Sequence, residues 1–384
     1  MRQPLKILNG MVMKIKWSSY NELTEGMNKS FAGLFDSVHS NSIIHNVNTE
    51  LKWLRINSNI DFPVSVNGLE VENSFVCSPY TAYARYAKDE LKHKVPNKGI
   101  QIIVLGILKL FEAFLKFGNI DRNIHINNYL LSTNPYPEWD GKEISEITDF
   151  VKDVYPKHAI IFRSINRYQH EALIKQFERN EYQKIGSRQV YIYDMDYENW
   201  MKHQNNKHDK RIIKKQNLQY IPHEEMGPYL EEALALYNKL YLVKYSEFNP
   251  QFSLAYFKHC HEHGIMHFQG YKDAQNQLKT FSGLFVIGDT ITSPLVGYDT
   301  SAPQNEGLYI HAINLIMQYK FKTGKLLNLS SGASTFKRLR GGNPSIEYSL
   351  IYIKHLSLKR RITWRILQFI SNKIGIPLME KYEL

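Results

Sequence analysis

The feature that most constrains this chain is an order of elements that occurs twice. At 126–134 an apolar strand pattern ends in Pro135-Tyr-Pro-Glu-Trp-Asp-Gly141. A helical pattern follows (Ile144, Ile147, Phe150, Val151, Val154), then a strand at 159–164, a helix at 168–179 and a strand at 188–195. Taking Asn127 against Thr292, the second half repeats that order: strand 292–297, polar loop 298–307, and a helix at 308–323 with Leu308, Ala312, Leu315, Ile316 and Tyr319 on one face. The next strand, Leu326-Leu-Asn-Leu, enters the small-residue turn Ser330-Ser-Gly-Ala-Ser334, which delivers Lys337, Arg338 and Arg340 beside Gly341-Gly342. Identity between the two passages is negligible, so the repeat is one of element order. Each strand and helix pattern must bury its apolar side against the others, and two copies of one layered α/β unit satisfy that.

The chain has 384 residues, and two domains of roughly 150 to 200 residues are expected at that length. The seam falls near residue 200: Tyr191-Ile-Tyr-Asp-Met-Asp196 closes an N-terminal unit, 1–199, and the basic stretch from Lys202 opens a C-terminal unit, 200–384, as a helix. Within the second unit 228–245 and 252–263 are helical by periodicity, with Gly264 as a C-cap, and 270–271, 284–287 and 291–298 read as strands with a hairpin turn at Gly288-Asp289.

The formal charge is +11 and is concentrated in 202–215, in the Lys337 turn and in 354–365. Such clusters favour a polyanionic partner, whether a phosphate-bearing cofactor, nucleic acid or an anionic lipid surface, although a basic run is also the ordinary composition of a solvated helix face. Two cysteines, Cys77 and Cys260, make no disulfide framework and fit a reducing, cytoplasmic setting. The amino terminus lacks the apolar core and cleavage pattern of a signal peptide. The apolar run at 100–117 is broken by Lys109, Glu112 and Lys116, each costing about 2.5 to 3.5 kcal/mol near a bilayer centre; it reads as a buried helix or a strand turning into one. The tail 354–384 joins Lys359-Arg-Arg361 and Arg365 to Ile362, Trp364, Ile366, Leu367, Phe369 and Ile370. It is a basic amphipathic helix, suited either to the inner surface of an anionic membrane or to packing on the second unit.

Strand, loop, helix, strand, helix, strand resembles the second half of the GNAT acyltransferase fold, and its tandem duplication with a basic helix opening the second copy resembles the Fem-type branch. The resemblance is strongest over 200–353, where Gly324-Lys-Leu-Leu-Asn-Leu-Ser-Ser-Gly-Ala-Ser-Thr-Phe-Lys-Arg338 is similar to the Fem-type passage of glycine, strand, small-residue turn and lysine. It is weaker over 60–199, and the first sixty residues match nothing. It implies two tandem GNAT-like domains, each a mixed twisted sheet flanked by helices. It also implies transfer of an acyl group from an acyl thioester, acyl-CoA or acyl carrier protein, to an amine of a small molecule or peptide, with no metal. The alternatives are a Fem-type enzyme that takes its group from aminoacyl-tRNA and a non-catalytic anion-binding protein on the same fold.

The donor loop of the resemblance is Gln304-Asn-Glu-Gly307-Leu308-Tyr309. Gln304 and Gly307 fit the GNAT pattern, whose bare amides at a helix start hold pyrophosphate; Tyr309 stands where its second small residue falls, and Glu306 adds a negative charge. In the first unit Pro135 and Pro137 have no N–H to give, and Glu138 and Asp140 repel phosphate, so that unit is expected to serve as scaffold or as a wall of the acceptor site. Acyl transfer to an amine needs a group for the amine proton and a proton for the leaving group. Asp299 is the candidate for the first, Tyr298 or Tyr309 for the second. Ser330, Ser331, Lys337, Arg338 and Arg340 are expected to meet the donor, since cations crowded together are costly without an anion among them. Asp299-Thr-Ser is also a plain Asx turn, and the two serines are also ordinary turn residues. Arg163, Arg167 and Arg188 would welcome an acceptor carboxylate or phosphate. His259-Cys-His-Glu-His263 with His267 resembles a metal cluster, since a helix puts His259 and His263 on one face at i,i+4, but a zinc site needs a third and fourth ligand and the Glu of His-Glu-x-x-His is absent, so it reads as ordinary helix residues; Cys77-Ser78-Pro79 reads as a helix start.

Overall fold

The computed structural model describes residues 6–8, 11–13, 15–57, 60–70, 72–86, 88–89 and 98–382. β1 (Lys6–Leu8) and β2 (Met11–Met13) form a two-stranded hairpin. The other twelve strands form one sheet. They are β3 (Ile15–Ser18), β4 (Glu50–Ile56), β5 (Ile60–Asn67), β6 (Asn123–Ile126), β7 (Ala159–Asn166), β8 (Gln183–Tyr193), β9 (Gln219–Ile221), β10 (His267–Lys272), β11 (Leu278–Ile287), β12 (Thr290–Tyr298), β13 (Leu326–Asn328) and β14 (Asn343–Tyr352). Their order across the sheet is β3-β4-β5-β6-β7-β14-β8-β13-β12-β11-β10-β9.

Two neighbouring pairs, β6/β7 and β12/β13, are parallel, and the rest are antiparallel. A parallel joint needs a crossover. The helix Ile144–Val154 lies within the first crossover and the helix Leu308–Thr323 within the second. This is the repeated order read in the sequence, realised as α/β architecture, except that the strand read at 126–134 is Asn123–Ile126 and the residues after it form a loop. What periodicity does not convey is how the halves join. β14, late in the chain, lies between β7 and β8 and pairs with both, while β8 pairs also with β13. Each half thus lends one long strand across the middle, and the two mixed sheets become one.

Helices cover both faces. Over the first half, Phe62, Ile124 and Phe162 of the strands pack with Ile147 of helix Ile144–Val154 and Phe177 of helix Arg167–Arg179, while Ile161, Ile185, Ile351, Leu115 and Trp364 form a separate cluster. A third cluster joins Phe31 and Ile44 of the first sixty residues to Tyr129, Leu130, Phe257 and Phe285, so both halves share a core. Burying each such aromatic contributes about 1.5 to 3 kcal/mol. The tail helix Leu358–Ile370 packs on the first half's strands, with Trp364 fully buried; its expected place on the second unit is therefore corrected. The segment 228–245 is not one α-helix but a 3-10 turn, the helix Leu230–Tyr237 and a wider π-helical run, Asn238–Tyr245. The helix Lys98–Phe117 forms, but Ile107, Leu110 and Phe117 are exposed, against its expected burial.

Candidate active site

The two parallel joints separate in the same way and are treated differently. In the second half β12 and β13 pair at Thr290↔Leu326, Ile291↔Leu327 and Thr292↔Asn328, and then part. On the other edge of β12, Ser293 and Pro294 together oppose Leu284 of β11, because the register steps from Phe285↔Thr292 to Gly283↔Leu295. That is a β-bulge, which re-aims the strand. Proline has no N–H for a ladder, and it sits where β13 no longer runs alongside. β12 continues to Tyr298, while β13 ends and the chain turns through Ser330, Gly332 and Ala333, all at positive φ.

The helix Leu308–Thr323 starts beside this opening. Gly307 takes the left-handed conformation (φ 64°) as its N-cap, no side chain caps it, and the His311 amide donates to the Gly307 carbonyl. The amides of Leu308, Tyr309 and Ile310 precede the helical ladder and face outward with the positive end of the dipole. A Cβ at residue 307 would also meet Ile212 Cγ2 at 2.7 Å, so glycine is required twice over. Gln304 lies exposed in the 3-10 turn before it.

The aromatic residues converge here. The Tyr309 ring is 5.7 Å from that of Tyr298 and 4.8 Å from that of Phe336, bridging the end of β12 to the short helix Ser334–Arg338 that follows the turn after β13. Burial holds the Tyr309 phenol well above its ordinary range, so it keeps its proton. Tyr298 Oη accepts from Lys244 Nζ at 3.3 Å. Asp299 is held as an Asx turn: its carboxylate accepts from Ser301 Oγ (2.5 Å), from the Ser301 amide (3.1 Å) and from Lys279 Nζ (3.2 Å). These bonds, that from Ser301 Oγ above all, hold it below the usual aspartate range and ionised.

The cationic turn differs from its expected use. Lys337 is buried and turns inward, donating to the carbonyls of Leu329 (2.7 Å), Ser331 (2.8 Å) and Ser330 (3.3 Å). Burial first, then Arg188, lowers it to about 7. Arg340 is likewise buried, stacked 3.4 Å over Phe336 and bidentate to Asp209 of the basic helix Gln204–Lys215 at 2.5 and 2.8 Å. Both are thus engaged within the protein, because three backbone carbonyls and one buried carboxylate take the place the donor anion was expected to fill. Arg338 is exposed. Ser330 Oγ accepts from Thr133 Oγ1 at 3.2 Å, tying the turn to the first half.

In the first half the equivalent opening is filled. β7 runs past its last pairing with β6, and Tyr136 occupies the gap, its Oη donating to the Arg163 carbonyl at 2.7 Å; burial raises that phenol well above its usual range. Asn127 Nδ2 donates to the Pro135 carbonyl, and the Asn134 amide to Ser164 Oγ. The loop after β6 is buried against the second half, with Tyr129 5.0 Å from Phe285. Arg188 donates to Glu347 Oε1 (2.9 Å), to Thr133 Oγ1 (2.8 Å) and to the Ser132 carbonyl (2.5 Å). Arg163 donates to the Val76 carbonyl and is depressed by burial and by Arg188; Arg167 is exposed. The Tyr136 plug, the bulge and the Arg188–Glu347 pair were not anticipated; Pro294 inside an apolar strand was the one local signal for any of them.

The remaining candidates resolve simply. His259 and His261 bond different carbonyls, those of Ser30 and His223. Ser78 accepts from the Thr81 amide at 2.9 Å as a cap, and burial pushes the Cys77 thiol up.

No family model matches the chain, and no curated protein matches it. Solved structures do. L-PGS from Bacillus licheniformis is 13% identical, covering 69% of this chain and 97% of its own, with a TM-score of 0.42. FemX is 12% identical over 60% and 80%, with a TM-score of 0.44. A tandem GNAT protein from the clavulanic acid biosynthesis pathway is 8% identical over 60% and 74%, at 0.35. GNAT and Fem-type proteins, the groups the sequence resembles, are thus among its structural neighbours. These are distant likenesses of the fold and not of the site.

Proposed function

We propose that the chain is an acyl- or aminoacyltransferase whose donor lies in the second half, between β12 and the turn after β13. The observation that carries this reading is the contrast between the two parallel joints: the first is plugged by Tyr136, the second parts at a bulge beside uncapped helix amides. A phosphate of the donor would meet the amides of Leu308 to Ile310, and its acyl arm would enter beside Tyr298, Tyr309 and Phe336. The amine nitrogen attacks the acyl carbon; the C–N bond forms, the bond from the acyl carbon to the thioester sulfur or to the ribose oxygen breaks, and one proton passes from the amine to that leaving sulfur or oxygen. Tyr309, which keeps its proton and has no hydrogen-bond partner among the described residues, is the candidate donor to that group. Tyr298 is its alternate. Asp299, ionised but already satisfied by Ser301 and Lys279, would hold the ammonium electrostatically.

Acyl-CoA or an acyl carrier protein is the first donor class, and aminoacyl-tRNA the second. The basic helix favours a polyanion in either case: Lys207, Lys210, Arg211 and Lys214 are exposed on it, while Ile212 sits against Gly307 at the donor helix. Thermal shift with CoA, acyl-CoA, acyl carrier protein and tRNA, followed by turnover on a panel of amines, tests this. Stabilisation by thioester donors with turnover supports the first class; stabilisation by tRNA alone, lost steeply with salt, supports the second. Binding without turnover of any amine would leave an anion-binding protein and refute the enzyme.

A further inference from the structure

Helix Lys98–Phe117 and helix Leu358–Ile370 meet over the cluster containing Leu115 and Trp364. Lys359 Nζ stands 3.5 Å from the centre of the Phe117 ring, and Gly118 is so close to Thr363 that a Cβ there would collide with it. Each helix buries one side in that cluster and leaves a second apolar side in water. On the first, Ile107, Leu110 (75% exposed) and Phe117 (63%) follow one another at helical spacing; on the second, Leu358 (61%), Ile362 and Phe369 (62%) do the same. A helix that is apolar on both sides is ordinarily covered on both, and contiguous exposed apolar surface marks a contact site. Among the described residues no helix is long and apolar enough to cross a membrane.

The charges around this surface are one-signed. Lys109, Lys116, Lys359, Arg365 and Lys373 are exposed around it, and 354–379 contains no aspartate or glutamate. The one acidic residue of the first helix, Glu112, is turned to Lys88. We infer that this two-helix face docks on an anionic lipid surface, the apolar stripes entering the headgroup boundary while the lysines and arginines meet lipid phosphates. The inference is independent of the acyl-transfer reading, since it uses none of the residues assigned there.

Co-sedimentation with vesicles tests it. The native chain is expected to sediment with mixed phosphatidylglycerol and phosphatidylcholine vesicles, to stay in solution with phosphatidylcholine alone, and to be released by salt. Arg365→Glu with Lys373→Glu is expected to weaken partitioning by roughly fivefold or more per residue. Leu110→Glu with Phe369→Glu is expected to abolish it while leaving the melting temperature unchanged, because both side chains are exposed. Failure of the native chain to sediment with phosphatidylglycerol vesicles would overturn the inference. So would a native dimer that Leu110→Glu dissociates, because a second copy would then cover the face.

Discussion

Replacing Lys337 with Met should change how stability depends on pH. The lysine is buried, with its ammonium on three turn carbonyls, and burial lowers it from 10.5 to about 7. Below pH 7 it is charged both folded and unfolded, and the full penalty of burying the charge is present. Between 7 and 10.5 the unfolded chain binds more protons than the folded one, so stability rises with pH; above that window the penalty has gone. One proton over most of two pH units amounts to about 2 kcal/mol between pH 7 and about pH 9. The Met variant loses that slope, and it also leaves the carbonyls of Leu329 and Ser331 without the lysine's hydrogen bond, at about 1 kcal/mol each, while that of Ser330 keeps the Tyr191 amide. Urea unfolding of both proteins at several pH values reads the difference in slope. Equal slopes would refute the view that this lysine titrates inside the turn.

Arg340→Ala should cost about 3 to 5 kcal/mol, because it leaves Asp209 buried without its partner; unfolding of the Asp209→Ala, Arg340→Ala double variant should show a smaller loss than the single variants add up to. Tyr136→Phe removes one buried hydrogen bond to the Arg163 carbonyl and should cost about 1 kcal/mol in denaturant titration, without creating donor binding in the first half. Tyr309→Phe should lower turnover by roughly 10² to 10⁴ if the phenol supplies the leaving-group proton, with little change in melting temperature.

The element order was legible because strand and helix periods write themselves into apolar spacing; Gly307 and Gly324, both at positive φ in the structure, stand at the two ends of helix Leu308–Thr323. Strand pairing was not. The strand read at 188–195 is the end of β8, and nothing in its residues or in those of β14 says that β14 will lie between β8 and β7. The cations misled for a related reason. Asp209 sits in the basic run 202–215 and looks like part of a solvated face, whereas it meets Arg340 from 131 positions away in the chain. Lys337 spends its charge on backbone carbonyls, which leave no trace in composition. Tyr136 was one tyrosine among 25; only the divergence of β6 from β7 gives it a role.

Hydrogen–deuterium exchange with and without donor tests the central claim most directly. A phosphate-bearing acyl or aminoacyl donor should slow exchange at 293–298 and at 307–311, and leave 127–137 as it was. Protection confined to the first half's loop, or none anywhere with any donor, would contradict the assignment of the open second joint as the donor site.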